Sequence, residues 1–318
     1  MSKVESLLQY IGIISKKKNV FYRGHSDVSY KLAPSIYRKF SKGSLVKYEH
    51  EIVREAISSN ASEFNNHHTN FEKLTLMQHY GFPTRLLDIT ENPLVALYFA
   101  ITSKEKKDGC VKVLNIPHAS IKHYDSDTVS ILGALAYIEP EKFKKFEEEL
   151  MENISTSSLD KLKQRVEKNK QKIITTFSYF YNQNAQFEEK KECINALNNT
   201  QLLDYLVYEI QKEKANFRKI ISPEHFDNAI VCIRPKLNNQ RLIAQQGAFL
   251  IYGIKDADKS KMPELEKANI SVEDIIISAD KKSILLDELE AVGITEQRIF
   301  PEIQTSAKYI TKKYKKRL

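Results

Sequence analysis

The amino-acid sequence predicts an α+β protein whose mixed sheet is interrupted by a helical insertion. Only 9 Gly and 9 Pro occur in 318 residues, so loops should be few and helices many. Strand-like runs rich in β-branched and aromatic residues occupy both ends of the chain. The residues between them carry many charges of both signs, with sparse apolar positions at helical spacing. We therefore expect a first core part over residues 1–116, a mainly helical insertion over 117–225, and a second core part with C-terminal helices over 226–318.

The elements of the first core part are identified by periodicity and by end signals. Residues 68–80 carry apolar residues at helical spacing, and Gly81 follows them at the place where a helix commonly ends. Asn92 and Pro93 are typical of a helix start, and the helix after them is apolar nearly all round, which predicts burial in the core. In chain order we predict a helix at 3–15, a strand at 19–22 with Arg23 at its end, helices at 44–60 and 68–80, a strand at 84–89, a helix from 93, and a strand at 111–116.

The insertion and the second core part are identified in the same way. Highly charged helical segments come first, a more clearly amphipathic helix follows, and then strand signals return. We predict helices at 142–152, 159–174 and 202–210, strands at 229–233, 249–254 and 275–277, and helices at 283–292 and from about 302 onward.

Composition excludes several classes of protein. No run of about 18 apolar residues occurs, so the sequence predicts no membrane span. The first residues lack a basic segment before their apolar stretch and lack a small-residue cleavage site, so we expect no secretory signal. Cys110, Cys193 and Cys232 are far apart and form no CxxC pattern, so we expect neither disulfides nor a metal site, and a cytoplasmic location. The net charge of +8 permits an anionic partner without identifying one.

The first candidate site segment is Phe-Tyr-Arg-Gly-His-Ser at residues 21–26. Arg23 at a strand end next to Gly24 places a cation beside backbone that a ligand can approach closely. A guanidinium there can bind a phosphate or carboxylate through two hydrogen bonds. The alternative is a structural ion pair with Asp27 or Asp88.

The second segment, residues 77–90, combines His, Arg, Asp and Thr around a strand that we expect to be buried. Strand alternation places Asp88 and Thr90 on one face and Arg85 on the other. A carboxylate beside a hydroxyl can bind a sugar or orient another side chain. The alternative is that Thr90 caps the next helix, Asp88 pairs with an arginine, and His79 is a structural histidine at a helix C-terminus.

The third segment, residues 239–251, places polar amides and Gly247 immediately before an apolar strand. The side chains of Gln245 and Gln246 can donate and accept hydrogen bonds, for instance with a ribose hydroxyl. The alternative is a polar turn that leads into the strand.

Together these segments resemble the FRG domain family, named for a Phe-Arg-Gly motif. The resemblance rests on residues 21–24, on QHYGFPTRLLDITENPLVALYFA at 78–100 and on residues 241–249, and its core covers roughly 15–116. Residues 299–303 resemble the C-terminal portion of the family. The family occurs in bacteria and phages, often near mobile elements and defence genes, which implies a toxin or an antiviral defence effector.

A more distant resemblance to ADP-ribosyltransferase folds implies a chemistry. Arg23, Thr90 and Gln245 follow the family order of an early-strand Arg or His, a Ser/Thr/Tyr before an apolar helix, and a Glu or Gln before a later strand. The resemblance implies that Arg23 binds NAD phosphate or ribose oxygens and that Thr90 positions the nicotinamide ribose. It implies that Gln245 stabilises oxocarbenium-like charge as nicotinamide leaves. Gln cannot act as a carboxylate base, so Asp88, His79 or the acceptor itself would supply the proton transfer. The resulting expectation is an NAD-dependent ADP-ribosyltransferase or NAD glycohydrolase, with NAD contacts from Arg23, Gly24, Arg85, Thr90 and Gln246.

Two other classes of function stay open. A nucleic-acid or nucleotide-binding module is favoured by the net charge and by residues 307–318, which hold six Lys or Arg and no acid. Aromatic residues in the insertion either stack bases or form its core; they are Phe177, Tyr179, Phe180, Tyr181 and Phe187. An interaction protein could instead use the insertion to hold an antitoxin or another defence partner. Acceptors under the enzyme hypothesis are protein, nucleic acid or water, and no membrane is expected.

Overall fold

A mixed sheet forms the centre of the computed structural model, which describes residues 3–40, 43–103, 106–157, 159–169, 173–218, 221–226, 229–254 and 261–315. In this part of the chain seven strands pair in the order β4-β5-β6-β2-β1-β3-β7. Only the β4–β5 pair is parallel among the described pairs. The predicted α+β class with a mixed sheet is therefore confirmed. The strands are β1 Phe21–His25, β2 Leu86–Thr90, β3 Gly109–Asn115, β4 Ile121–His123, β5 Ile230–Arg234, β6 Gly247–Tyr252 and β7 Ser271–Ile277.

Helices surround the sheet and fill most of the residues between β4 and β5. The described α-helices are α1 Leu7–Ile14, α2 Glu49–Ser59, α3 Ala61–Phe64, α4 Asn70–His79, α5 Pro93–Ile101, α6 Asp127–Ala134, α7 Pro140–Thr156, α8 Asp160–Lys168, α9 Ile173–Gln183, α10 Phe187–Asn198, α11 Gln201–Gln211, α12 Gln240–Gln245, α13 Lys282–Ala291, α14 Glu296–Ile299 and α15 Ile303–Lys315. Among the described residues, no helix combines the length and the apolar character that a membrane crossing needs.

Several element bounds differ from those predicted. β1 begins two residues after its predicted start because Asn19 adopts a left-handed turn with φ 52°, so Arg23 lies inside the strand. β4 lies in the range assigned to the insertion and pairs with β5. α12 is a helix where a polar turn was one alternative. The predicted helix at 159–174 divides into α8 and α9, with residues 170–172 outside the described part, as are residues 316–318 of the predicted last helix.

Local end signals fix the two helices that border β2. Thr69 and Glu72 form a capping box at the start of α4, and Gly81 adopts φ +85° just after its end. The Asn92 side chain caps α5, whose first residue is Pro93. These signals hold the intervening strand between two well-defined helix ends.

The core lies on both faces of the sheet. On one face, helices α1, α5 and α13 pack over the β1-β3-β7 half, and α4, α6 and the helices of the insertion pack with the β5-β6-β2 half. The opposite face packs against residues 32–46 and 262–270. The helix that was predicted to be apolar nearly all round, α5, is buried along most of its length.

Candidate functional site

Strand pairing brings three separated segments of the chain side by side. Tyr22 of β1 lies opposite Thr90 of β2, and Thr90 lies opposite Gly247 of β6. Arg23 and Gln245 are therefore near neighbours of Thr90 across the sheet. The central strands thus assemble residues that are more than 200 positions apart in sequence.

A cavity of about 200 Å³ lies at this place, between the sheet and helices α4, α5 and α12. We call it the inner cavity. All five predicted catalytic side chains are among its lining residues, which are Tyr22, Arg23, Gly24, Thr75, Gln78, His79, Asp88, Ile89, Thr90, Val95, Phe99, Asn239, Arg241, Leu242, Gln245 and Phe249.

Among the described residues, Arg23 is one of the two arginines that line the inner cavity. Its side chain is 20% exposed, and the nearest carboxylate oxygen, Asp88 Oδ2, lies 3.7 Å from Nη1. Nη1 also donates a hydrogen bond to the Asp88 carbonyl, and Nε donates to His25 Nε2 at 3.2 Å. Burial lowers the pKa of Arg23, and the opposing effect of Asp88 is smaller. The site therefore holds an incompletely compensated positive charge.

His25 supports Arg23 as a neutral imidazole. Because Nε2 accepts a hydrogen bond from Arg23, the ring proton lies on Nδ1. Burial, with the charges of Arg23 and Lys112, lowers the pKa of His25 to about 4. The residue is thus an acceptor for the guanidinium at neutral pH.

A relay of side chains orients the Asp88 carboxylate. Thr84 Oγ1 donates to Gln78 Oε1 at 2.6 Å, and Gln78 Nε2 donates to Asp88 Oδ2 at 2.9 Å. Thr84 is fully buried, whereas the Asp88 side chain is 55% exposed. The carboxylate is therefore fixed at the mouth of the cavity, where solvent and a ligand can reach it.

The Thr90 hydroxyl is used mainly by the protein itself. Oγ1 donates to the Gln245 carbonyl at 2.6 Å and accepts from the Asn92 backbone N–H at 2.9 Å. The predicted helix-capping alternative thus describes part of its role, since it joins the start of α5 to the end of α12. Thr90 fixes the position of Gln245 while lining the cavity.

Gln245 presents an amide to the cavity. Its Nε2 donates to the Ile299 carbonyl at 3.2 Å, while Oε1 has no hydrogen-bond partner among the described residues. Next to it on α12, the Arg241 guanidinium lies over the Phe300 ring, 4.8 Å from the centroid. Residues of the α14–α15 connection therefore hold α12 against the site.

His79 closes the cavity at the end of α4. The ring makes an edge contact with Tyr80, at 5.2 Å between centroids, and forms no hydrogen bond with the described residues. Burial and the Arg241 charge lower the pKa of His79, and Glu302 opposes this shift. A neutral imidazole with a free nitrogen can accept a proton.

Three predicted cofactor contacts take different positions. Gly24 lines the cavity, but a Cβ there would lie 2.0 Å from the Ala96 carbonyl oxygen, so the glycine is required by the packing of α5 on β1. Gln246 is exposed, adopts φ 44° after α12, and is not among the lining residues. Arg85 is fully buried and bonded to Glu49, away from the cavity.

Other lining residues were not singled out from the sequence. Tyr22, Phe99 and Val95 supply an apolar wall, and Gln78 and Arg241 supply polar groups. Gln78 and Arg241 stand inside the segments that drew attention, but only the packing of α4 and α12 over the strands shows that they face the site. Tyr22 precedes Arg23 on β1. Its pairing with Thr90 of β2 brings Tyr22 to the cavity.

The aromatic residues of the insertion and the three cysteines lie outside the inner cavity. Phe177 and Phe180 are buried in the insertion, whereas Tyr179 and Phe187 are exposed. The three cysteines are free and buried, and burial raises the pKa of each thiol to about 12. Within the described residues, no group of three or more His, Cys, Asp or Glu side chains is placed to hold a metal ion.

Comparison with known proteins covers part of this site. Residues 18–109 match the model of the FRG domain. The match includes Arg23, His79, Asp88 and Thr90 and excludes α12, which supplies Gln245. No curated protein and no solved structure matches the chain. The chain therefore contains, over residues 18–109, a domain of the FRG family.

Proposed function

We propose that this FRG domain protein binds NAD at the inner cavity and transfers the ADP-ribosyl group to an acceptor or to water. The observation that carries the proposal is a partly buried arginine, Arg23, in a cavity that Thr90 and Gln245 also line. This is the residue order that the resemblance to ADP-ribosyltransferases implies.

The charge of Arg23 supports an anionic ligand. Burial lowers its pKa, so the folded protein gains stability when a negative group approaches the guanidinium. Its ion pair with Asp88 at 3.7 Å is longer than a hydrogen bond. A phosphate or ribose oxygen can therefore add a contact that the protein alone does not make.

The opposite wall supports a nucleoside. Gln245 Oε1 has no hydrogen-bond partner in the described part of the chain and is an acceptor that suits the hydroxyl of a ribose. Val95 and Phe99 offer an apolar surface to a flat pyridine ring. Thr90 acts as a positioning residue, because its proton is already donated to the Gln245 carbonyl.

NAD supplies a glycosidic bond that breaks with its electron pair moving to the nicotinamide nitrogen, while an acceptor oxygen or nitrogen bonds to C1′ and releases a proton. His79 is the group that accepts this proton, since its lowered pKa keeps it neutral at pH 7. The Asp88 carboxylate stabilises the positive charge that develops at the reacting carbon. Arg23 binds oxygen atoms of the nicotinamide ribose or of the phosphate attached to that ribose.

Nicotinamide release tests this proposal directly. The full chain is incubated with NAD, and free nicotinamide and ADP-ribose are quantified. Arg23→Ala should weaken NAD binding and lower release at low NAD concentration by about tenfold or more, because the ligand loses a charge-assisted hydrogen bond. Arg165→Ala, at an exposed arginine of α8, should match wild type. Wild-type protein that neither binds NAD in a titration nor releases nicotinamide overturns the proposal.

The biological role that we propose is a toxin or antiviral defence effector with a protein or nucleic-acid acceptor. It rests on the setting in which FRG family members occur. Induced expression in a bacterial host should arrest growth, and Arg23→Ala should relieve the arrest. Equal arrest by both proteins would separate toxicity from the NAD site and favour a binding role for the insertion, held by an antitoxin.

A further inference from the structure

A second cavity lies beside the inner one. It measures about 530 Å³ and lies between α4, α12 and the Pro301–Glu302 segment. We call it the outer cavity. Five lining residues belong to both cavities, namely Thr75, His79, Asn239, Arg241 and Leu242. The two spaces therefore adjoin each other along these residues, and we call them the two compartments.

The two cavity volumes indicate how large a ligand each compartment can hold. Pockets for drug-sized ligands usually measure about 300–1,000 Å³. The inner cavity, at about 200 Å³, lies below this range, whereas the outer cavity, at about 530 Å³, lies within it. A whole dinucleotide thus needs both compartments, and the inner one suits a single nucleoside.

Arg241 stands at the junction of the compartments. Its side chain is 35% exposed, and the nearest carboxylate, Glu302 Oε1, lies 3.9 Å from Nη1. The guanidinium makes no hydrogen bond within the described residues, so its donors are available. A diphosphate is the anion found midway along a dinucleotide, and a guanidinium binds phosphate oxygens in pairs.

The outer cavity has the chemistry of a nucleobase site. Phe71, Tyr80 and Tyr124 line it with aromatic rings, on which a base can stack. Two buried polar atoms on its lining residues, His67 Nδ1 and Glu302 Oε2, have no hydrogen-bond partner among the described residues. Buried polar groups are costly when unpaired, so they favour a ligand that both donates and accepts. An adenine ring meets this requirement.

We infer that the outer cavity binds the adenosine half of the dinucleotide and that Arg241 binds its diphosphate. The inference rests on the proposed function, because it assigns the second half of the same ligand. It leaves nicotinamide and its ribose in the inner cavity, beside Arg23 and Gln245.

Calorimetric titrations of the full chain with NAD, nicotinamide mononucleotide and AMP test the assignment. Tyr124→Ala should lower the affinities for NAD and AMP at least about fivefold, because the adenine ring loses a stacking partner. The affinity for nicotinamide mononucleotide, which has no adenine, should stay unchanged. Arg241→Gln should lower the affinity for NAD about tenfold or more. Tyr124→Phe should retain NAD affinity, which distinguishes loss of the ring from loss of the hydroxyl.

Matched controls separate the two proposals. Arg234→Gln changes an arginine that pairs with Glu91 outside both cavities and should leave all three affinities unchanged. Thermal melting establishes that each variant is folded. NAD binding that is insensitive to Tyr124→Ala and Arg241→Gln overturns this inference alone, as does a Tyr124→Ala protein that binds NAD normally and fails only in transfer to an acceptor. Absence of NAD binding by wild type overturns both proposals.

Discussion

Arg85 and Glu49 form a buried ion pair in which Arg85 Nε donates to Glu49 Oε1 at 2.7 Å and both side chains are 2% exposed. Arg85 Nη1 and Nη2 also donate to the carbonyls of Tyr252 and Leu132, each at 3.1 Å. One guanidinium thus joins the start of α2, the end of β6 and helix α6. This explains why Arg85, although it lies within a candidate site segment of the sequence, faces the core.

Removing one member of this pair should destabilise the protein strongly. Arg85→Met leaves the Glu49 carboxylate buried without a cation, and such losses cost about 3–5 kcal/mol. Urea unfolding followed by circular dichroism measures the change. The double variant Arg85→Met/Glu49→Leu should lose less than either single variant, because no buried charge is left.

A different result would reassign Arg85. If Arg85→Met unfolded at the wild-type urea concentration but lost NAD affinity, the side chain would belong to the ligand site rather than to the core.

Gly24→Ala should reduce stability by about 3 kcal/mol or more, because the new methyl group would overlap the Ala96 carbonyl and displace α5 from β1. Gly12→Ala is the control: a Cβ at this exposed position of α1 meets nothing within 4 Å. That substitution should stabilise by up to about 1 kcal/mol through helix propensity. Urea midpoints of the two variants compare the effects, and similar midpoints would contradict the close packing of β1 on α5.

Stability should fall in mild acid through His25. Its folded-state pKa of about 4 lies below the ordinary 6.5, so the unfolded chain binds the proton first. The stabilisation is complete above pH 6.5 and is lost as the pH falls towards 4, by up to about 3 kcal/mol. Unfolding free energies measured between pH 7.5 and roughly pH 4 follow this loss.

The matching variants assign the effect to one side chain. His25→Gln keeps an acceptor for Arg23 and should flatten the pH dependence, with a residual slope from His79 and His225, whose pKa values are also lowered. His118→Gln, at an exposed histidine, should leave the curve as in wild type. Identical slopes in wild type and His25→Gln would show that His25 is not the titrating group.

Thr90→Val should affect both stability and the site. It removes the donor to the Gln245 carbonyl and the acceptor for the Asn92 N–H, which costs about 1–3 kcal/mol. Gln245 then loses its fixed position, so nicotinamide release should also fall. Thr90→Ser keeps the hydroxyl and should restore both properties. Normal nicotinamide release by Thr90→Val would show that Thr90 does not position Gln245.

Much of the fold could be predicted because the strands of the core are short, strongly β-branched runs with clear end signals. β2 and β5 differ from their predicted bounds by only a few residues. β4 could not be found, since its three residues become a strand only by pairing with β5, more than 100 positions later. α12 is also too short to show a periodic apolar face, and it ends at Gln246 in a left-handed conformation.

The site was less predictable than the fold, for a related reason. The residue types of Arg23, Asp88 and Gln245 suggest a chemical role. Whether they lie close together depends on the order of β1, β2 and β6 in the sheet. The partners of the other candidates are likewise distant: Glu49 binds Arg85 from 36 positions upstream, and Phe300 holds Arg241. No local pattern in the sequence encodes these contacts.

The contact between Gln245 and the Ile299 carbonyl has a consequence for synthesis of the protein. On the ribosome, the early strands emerge long before the segment that braces α12, so a partly translated chain carries Arg23 and Thr90 without a complete wall around them. The wall that α12 forms around the inner cavity is therefore braced only after Ile299, which lies late in the chain, has been synthesised and has folded against Gln245.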